Sequence, residues 1–324
     1  MPTMSLPTTV STPGMPEQIT IYEVGPRDGL QNEKSVIPAG IKAEFVRRLV
    51  AAGLNTVEVT SFVPPSWIPQ LADAAEVMES LGELGRQRTR PVLVPNQRGL
   101  DNALEAGARA VAIFGSATET FARKNLNRTI AESIDMFAPV VQRAQEDKVW
   151  VRAYVSMCFG DPWEGPVPIA QVVDVCGRLM DLGCDELSIG DTIGVGTPGH
   201  VSRLLEALDS QGIATYRTAV HFHDTYGQAL SNTLTALRHG VRTVDASAGG
   251  LGGCPYAKSA TGNLATEDLV WACRGLGIET GVDLDALVAT SIWMAEQLGR
   301  PSPSAVVRAL AGATSTERTP TVES

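Results

Sequence analysis

Eight short apolar runs alternate with helical patterns along this chain, at a spacing of roughly 32 residues, and that rhythm restricts the possible folds more than any single motif does. The runs are 19–24, 56–60, 91–94, 110–114, 150–156, 186–190, 218–222 and 243–246. Most are rich in β-branched residues and bounded by Gly, Pro, Asn or Asp. Between them, Ile41, Phe45 and Leu49 recur at four-residue spacing and stop at Gly53, and Leu230, Leu234 and Leu237 recur likewise and stop at Gly240. The stretch 172–182 is apolar on most faces and stops at Gly183. Strand followed by helix, repeated eight times, predicts an α/β fold of the (β/α)8 (TIM) barrel type. A doubly wound open sheet is the competitor, but it usually places Gly-x-Gly-x-x-Gly after its first strand, where this chain has Gly25-Pro26-Arg27-Asp28-Gly29. Residues 284–298 predict one or two additional C-terminal helices. The chain then divides into a disordered tail at 1–18, a barrel with its C-terminal helices at 19–300, and a final helix and polar tail at 301–324.

Of the 324 residues 44% are hydrophobic and 19% charged, enough for one large core. A net charge of -10 and a pI near 5.0 argue against a nucleic-acid partner. No apolar run approaches the roughly 20 residues that span a bilayer. The first eighteen residues are rich in Pro, Thr and Ser and hold no Lys or Arg, which fits neither a secretory signal nor an Arg-rich transit peptide. A cytoplasmic protein without a membrane partner is the expectation. The five cysteines form no Cys-x-x-Cys pair. Cys158, Cys176, Cys184 and Cys273 lie in apolar patterns and read as small buried hydrophobes, whereas Cys254 lies in a glycine-rich loop.

In a barrel the chemistry sits at the C-terminal ends of the strands, and the unusual polar residues fall there. Arg27 and Asp28 follow strand one, Glu58 lies near the end of strand two, Asp191 closes strand six, and His221 and His223 close strand seven. Residues two apart on a strand point the same way, so the two imidazoles share a face. The loop after strand eight brings Gly249-Gly250-Leu251-Gly252-Gly253-Cys254 and then Asn263. Asp28, His221, His223 and Asn263 together offer a mixed N/O donor set suited to Mg²⁺ or Mn²⁺, with zinc possible. Taken singly, Asp28 is also a turn former before Gly29 and Asn263 a residue of a helix N-cap region; with the histidine pair, ligation is favoured. Arg27 reads as a cation for a developing oxyanion, with Glu58 as the carboxylate that fixes it. Cys254 reads as a proton donor or acceptor on a loop whose glycines permit closure.

The segments Glu23-Val24-Gly25-Pro26-Arg27-Asp28-Gly29-Leu30-Gln31-Asn32-Glu33, Gly190-Asp191-Thr192-Ile193-Gly194-Val195-Gly196-Thr197-Pro198 and His221-Phe222-His223-Asp224-Thr225-Tyr226-Gly227-Gln228-Ala229 resemble the 3-hydroxy-3-methylglutaryl-CoA lyase family. So do Thr60-Ser61-Phe62-Val63 and residues 250–269, and the similarity runs in one register from about residue 20 to 298. The loop Cys254-Pro255-Tyr256-Ala257-Lys258 is specific to the lyases; isopropylmalate and homocitrate synthases share the barrel, the Arg-Asp-Gly turn and the His-x-His pair.

The resemblance implies a divalent-metal-dependent, retro-Claisen cleavage of an acyl-CoA substrate to acetyl-CoA and acetoacetate, of the kind used in leucine degradation, by a homodimer. It implies Asp28, His221, His223 and Asn263 as metal ligands, Arg27, Glu58, Cys254, His221 and Asp28 as catalytic residues, and Arg27, Gln31 and Asp191 as substrate-binding residues. The turn Met157-Cys158-Phe159-Gly160-Asp161-Pro162-Trp163 departs most from the family pattern, which assigns Phe159 and Trp163 to the pocket for the C3 substituent. Alternatives are a lyase for another branched 3-hydroxyacyl-CoA such as citramalyl-CoA, a condensing synthase, and a non-catalytic metal- or CoA-binding barrel. A synthase usually carries a C-terminal extension, for which the forty or so residues after the barrel leave no room. A binding protein would be expected to lack Arg27 or Cys254.

Overall fold

The computed structural model describes residues 7–254 and 257–316; the side chains of 254, 257–261 and 312–316 lie outside the description. The barrel strands are β1 (Thr20–Glu23), β2 in two pieces (Thr56–Val57 and Thr60–Ser61), β3 (Val92–Leu93), β4 (Ala110–Ser116), β5 (Trp150–Ser156), β6 (Glu186–Asp191), β7 (Thr218–Phe222) and β8 (Thr243–Ala246). All pair in parallel. Closure is carried by the split in β2. Its first piece pairs with β1 and its second with β3, so the two ends of the sheet are one continuous stretch of chain. Between the pieces, Glu58 N–H donates to Glu23 O at 2.8 Å and Val59 N–H to Pro91 O at 2.9 Å, carrying the ladder around the cylinder.

Helices α1 (Ala39–Ala51), α2 (Ala74–Leu81), α3 (Gln97–Glu105), α4 (Glu119–Leu126), α5 (Ile130–Glu146), α6 (Ile169–Asp181), α7 (Pro198–Ser210), α8 (Ala229–Arg238) and α9 (Thr266–Leu276) return the chain between strands and after β8. α10 (Leu284–Leu298) and α11 (Ala305–Thr316) follow as the additional helices. The (β/α)8 barrel with C-terminal helices read from the alternation is the observed architecture. Gly53, Gly183 and Gly240 end their helices at φ +95°, +99° and +99°, conformations that side chains with a Cβ resist.

The structure adds detail to three of the segments read from the sequence. On α8 Leu237 is buried and Leu230 and Leu234 pack partly buried against the core, with Ala229, Asn232, Thr233 and Ala236 completing the inner surface. Small residues there let the helix lie close to the strands. From residue 7 the N-terminal segment is not free. Thr9 Oγ1 donates to Arg274 O at 3.1 Å and Val10 N–H to Gly275 O at 2.8 Å, satisfying carbonyls at the end of α9, while Gln18 bridges Glu279 in parallel. At the other end, α11 extends to Thr316 and is capped by Asp268, which accepts from Ser304 Oγ and the Val306 N–H.

The barrel interior is not purely aliphatic. Arg152, Asp245, Ser188 and Glu58 are fully or almost fully buried. Strand register explains the grouping of several of them: Tyr22 lies opposite Asp245, Asp245 opposite His221, and Arg152 opposite Glu186. Parallel neighbours in register point their side chains the same way, so the polar groups form one connected layer beneath the strand ends.

Candidate active site

Residues Gly25–Gly29 leave β1 not as a simple turn but as a π-type helical turn, whose wider coil carries Arg27 and Asp28 over the barrel mouth. Arg27 is 6% exposed and held on two sides: Nε donates to Glu58 Oε2 and Nη1 to Asp28 Oδ1, each at 2.7 Å. Burial alone would depress its basicity, but Glu58 and Asp28 outweigh that and raise it well above the usual arginine value, so the guanidinium stays cationic. Glu58 is fully buried; its Oε2 also accepts from Tyr154 O–H at 3.0 Å, and burial pushes its carboxyl up against the pull of Arg27. Tyr154 places its ring beneath the guanidinium, 5.2 Å from Cζ, and edge-on to His221. No motif pointed to this tyrosine.

Asp28, His221 and His223 each present a ligand atom within 4.8 Å of the others. Burial opposes ionisation of Asp28, but Arg27, the two imidazoles and a hydrogen bond from Asn263 hold its carboxyl at about 2. Burial, reinforced by His221, lowers His223 to about 4, so its imidazole is neutral as ligation requires. Asn263 reaches the cluster through an antiparallel bridge to His223. Its Nδ2 donates to Asp28 Oδ2 at 2.8 Å and Leu251 O at 3.1 Å, which fixes the amide. Asn263 Oδ1 and His223 Nδ1 are buried without a hydrogen-bond partner among the described residues. An ionised carboxylate, a neutral His223 imidazole beside that of His221, and a carboxamide oxygen fit a divalent cation.

A cavity of about 630 Å³ opens at this point. Arg27, Asp28, Gln31, His221, His223 and Tyr154 line its polar end. Gln31 Nε2 donates to Asp28 Oδ1 at 2.9 Å. Val63, Ile68, Leu93 and Phe114 form an apolar wall, and Trp67 and Lys124 also line it. A second cavity, of about 560 Å³, lies among residues of α2, α3 and the segment after β2, and holds none of the cluster.

Three residues singled out in the sequence lie outside the cavity lining. Asp191 is 1% exposed and does not line the cavity; Oδ1 accepts from Val195 N–H at 3.0 Å and Oδ2 from Gly196 N–H at 2.8 Å, so it shapes the loop between β6 and α7. Phe159 is buried against His200 and Phe222, and Trp163 is 42% exposed beneath Lys124. Neither lines the cavity, because Asp161 folds their turn inward: it accepts from Thr118 Oγ1 at 2.6 Å and from the Trp163 and Glu164 N–H groups. The wall is built by other strands instead.

The glycine-rich loop after β8 forms a short hairpin of β9 (Gly253–Cys254) and β10 (Ala257–Thr261). Gly253 lines the cavity, so the backbone brings position 254 beside it; the Cys254 side chain lies outside the described residues. Gly249 and Gly250 are not free hinges. Both are buried at φ +66°, and Gly249 N–H donates to Glu267. At the hairpin base Gly252 and Gly262 approach so closely that a Cβ on Gly262 would lie 2.5 Å from Gly252 C. Cys158, Cys176, Cys184 and Cys273 are all free and buried, as read from the sequence.

Fold and site together define a (β/α)8-barrel protein with a buried arginine beside a carboxylate–imidazole cluster fit for a divalent cation. A profile of the HMGL-like family matches residues 18–293. The chain is 52% identical over 297 residues to the mitochondrial hydroxymethylglutaryl-CoA lyase of Arabidopsis thaliana, an alignment spanning 92% of this chain and 63% of that longer protein. It is 48% identical to the cytoplasmic 3-hydroxy-3-methylglutaryl-CoA lyase of Rattus norvegicus, spanning 91% of this chain and 86% of that one. The crystal structure of hydroxymethylglutaryl-CoA lyase from Pseudomonas aeruginosa superposes with a TM-score of 0.88 at 45% identity, covering 93% of this chain and 99% of that one. The chain belongs to the HMGL-like family. Its relatives carry both mitochondrial and cytoplasmic designations, so the family itself occupies more than the one compartment expected from the N-terminal composition.

Proposed function

We propose that this protein cleaves 3-hydroxy-3-methylglutaryl-CoA to acetyl-CoA and acetoacetate by a retro-Claisen reaction, with Mg²⁺ or Mn²⁺ held by Asp28, His221, His223 and Asn263. The observation that carries the reading is the meeting, in one cavity, of the cationic Arg27 and the Asp28–His221–His223 cluster. A bound cation would supply positive charge that eases loss of the 3-hydroxyl proton. As that proton leaves, the C2–C3 bond breaks and its electron pair moves into the thioester as an enolate. Arg27, immobilised by Glu58 and Asp28, would hold the enolate oxygen without reorganising. Protonation of C2, with Cys254 or a histidine as donor, completes acetyl-CoA. The apolar wall of Val63, Ile68, Leu93 and Phe114 is suited to a small alkyl substituent and the acyl chain.

The homodimer and the cytoplasmic location belong to the same proposal, tested by light scattering and by cell fractionation. Among the described residues no helix is long and apolar enough to cross a membrane. The activity is tested by a coupled assay for acetyl-CoA and acetoacetate, run side by side with 3-hydroxy-3-methylglutaryl-CoA and citramalyl-CoA. A higher kcat/KM for citramalyl-CoA would overturn the substrate and leave the bond cleavage standing.

A further inference from the structure

We infer that Asp245 is a positioning residue for His221, fixing which ring nitrogen that imidazole offers to a cation, and that buried Arg152 acts on the site through Asp245. The inference rests on the reading of Asp28, His221, His223 and Asn263 as a cation site. His221 and Asp245 are register neighbours on β7 and β8, with Nδ1 3.1 Å from Oδ2. Asp245 is 2% exposed and does not line the cavity, so it touches neither substrate nor cation.

Among the described residues the other hydrogen-bonding partners of this carboxylate are both donors. Ser188 Oγ donates to Oδ2 at 3.0 Å, and Arg152 Nη2 donates to Oδ1 at 2.5 Å. Arg152 is itself held, with Nε 3.2 Å from Glu186 Oε1 and its guanidinium 3.8 Å above the Tyr22 ring. A carboxylate kept anionic by a permanent cation can only accept from the imidazole. A ligating His221 imidazole, which carries one proton, therefore has it on Nδ1, and the lone pair left for ligation is on Nε2. Among the described residues His223 has no such partner, its Nδ1 being buried and unpaired there. The two imidazoles are thus held unequally, and the orientation of His221 is set from within the barrel.

The test uses the full chain labelled with ¹⁵N-histidine. In the metal-free wild-type protein, long-range ¹H–¹⁵N correlation should give His221 the Nδ1–H pattern; an Nε2–H pattern overturns the inference. Mn²⁺ titration followed by electron paramagnetic resonance should then show Asp245→Asn weakening Kd about 10- to 100-fold, because an amide oxygen can meet only one of the imidazole and the guanidinium. Ser188→Ala, which removes one donor and no charge, should change Kd less. Asp245→Asn with a Kd within about twofold of wild type would make Asp245 a purely structural member of the core. If that variant does not fold, the wild-type tautomer decides. Absence of Mn²⁺ binding by the wild type would sink the cation reading, while the tautomer pattern would still judge Asp245.

Discussion

Arg27 and Glu58, thirty-one residues apart, meet through a 2.7 Å Nε–H···Oε2 bond that is almost wholly buried at the barrel mouth. Glu58 sits between the two pieces of β2 that close the cylinder, so the same segment completes the barrel and anchors the guanidinium. Arg27→Gln should lower kcat by about 10²–10³ with little change in KM, as for loss of an oxyanion donor. Glu58→Gln, which leaves the arginine in place but loosens it, should lower kcat less. Steady-state kinetics decides; a rise in KM alone would mean that Arg27 only holds substrate.

Metal removal should abolish turnover. Treatment with EDTA should eliminate activity, and Mg²⁺ or Mn²⁺ should restore it. His223→Ala should weaken Mn²⁺ binding while far-UV circular dichroism stays native, since the ring lies at the cavity and not in the packed core. Full activity in protein shown by elemental analysis to be metal-free would reject the site.

Cys254 should be the reactive thiol of this chain. Burial pushes Cys176, Cys184 and Cys273 up to about 12 and Cys158 well above the ordinary thiol value, so all four are poor nucleophiles at neutral pH. Iodoacetamide labelling read by peptide mass should therefore mark Cys254 first, with substrate protecting it. Cys254→Ala should reduce turnover by about 10²–10⁴ while Mn²⁺ still binds; a fully active variant would leave the thiol without a catalytic role.

Substrate choice should respond to the cavity wall and not to the turn after β5. Leu93→Ala or Phe114→Ala should shift the kcat/KM ratio between methyl- and longer-branched substrates by about 1–3 kcal/mol per methylene. Phe159→Leu should leave that ratio unchanged, because Phe159 packs on His200 and Phe222 outside the cavity.

Glu267 gives the stability a pH dependence. Burial first, opposed by hydrogen bonds from Ser291 and Gly249, raises its carboxyl from the ordinary 4.5 to about 8. The native state therefore keeps a proton that the unfolded chain releases, so this contribution is complete below about pH 4.5 and is lost as pH rises to about 8. Urea midpoints should fall between pH 5.5 and 7.5 in the wild type. They should fall less in Glu267→Gln, where Glu23, raised to about 7, still contributes. Equal slopes in the two proteins would show that Glu267 is not protonated in the native state.

What the sequence determined by itself was the part of the protein written in local periodicity. Eight apolar runs and the glycines that end helices specify the barrel, and the spacing His-x-His places two imidazoles on one face, because these depend only on strand and helix repeats. Tertiary structure decided everything that depends on which strand lies beside which. Arg152 within Val151-Arg152-Ala153 and Asp245 within Val244-Asp245-Ala246 were visible as charges inside apolar strands, a signal of a buried polar group. Their partners, Glu186 and His221, follow only from parallel register. Tyr154 beneath Arg27, and the apolar wall displaced from Phe159 to Leu93 and Phe114, follow from the same cause. Neighbours around a closed barrel are set by hydrogen-bond register between segments distant in sequence, and no local pattern encodes that register.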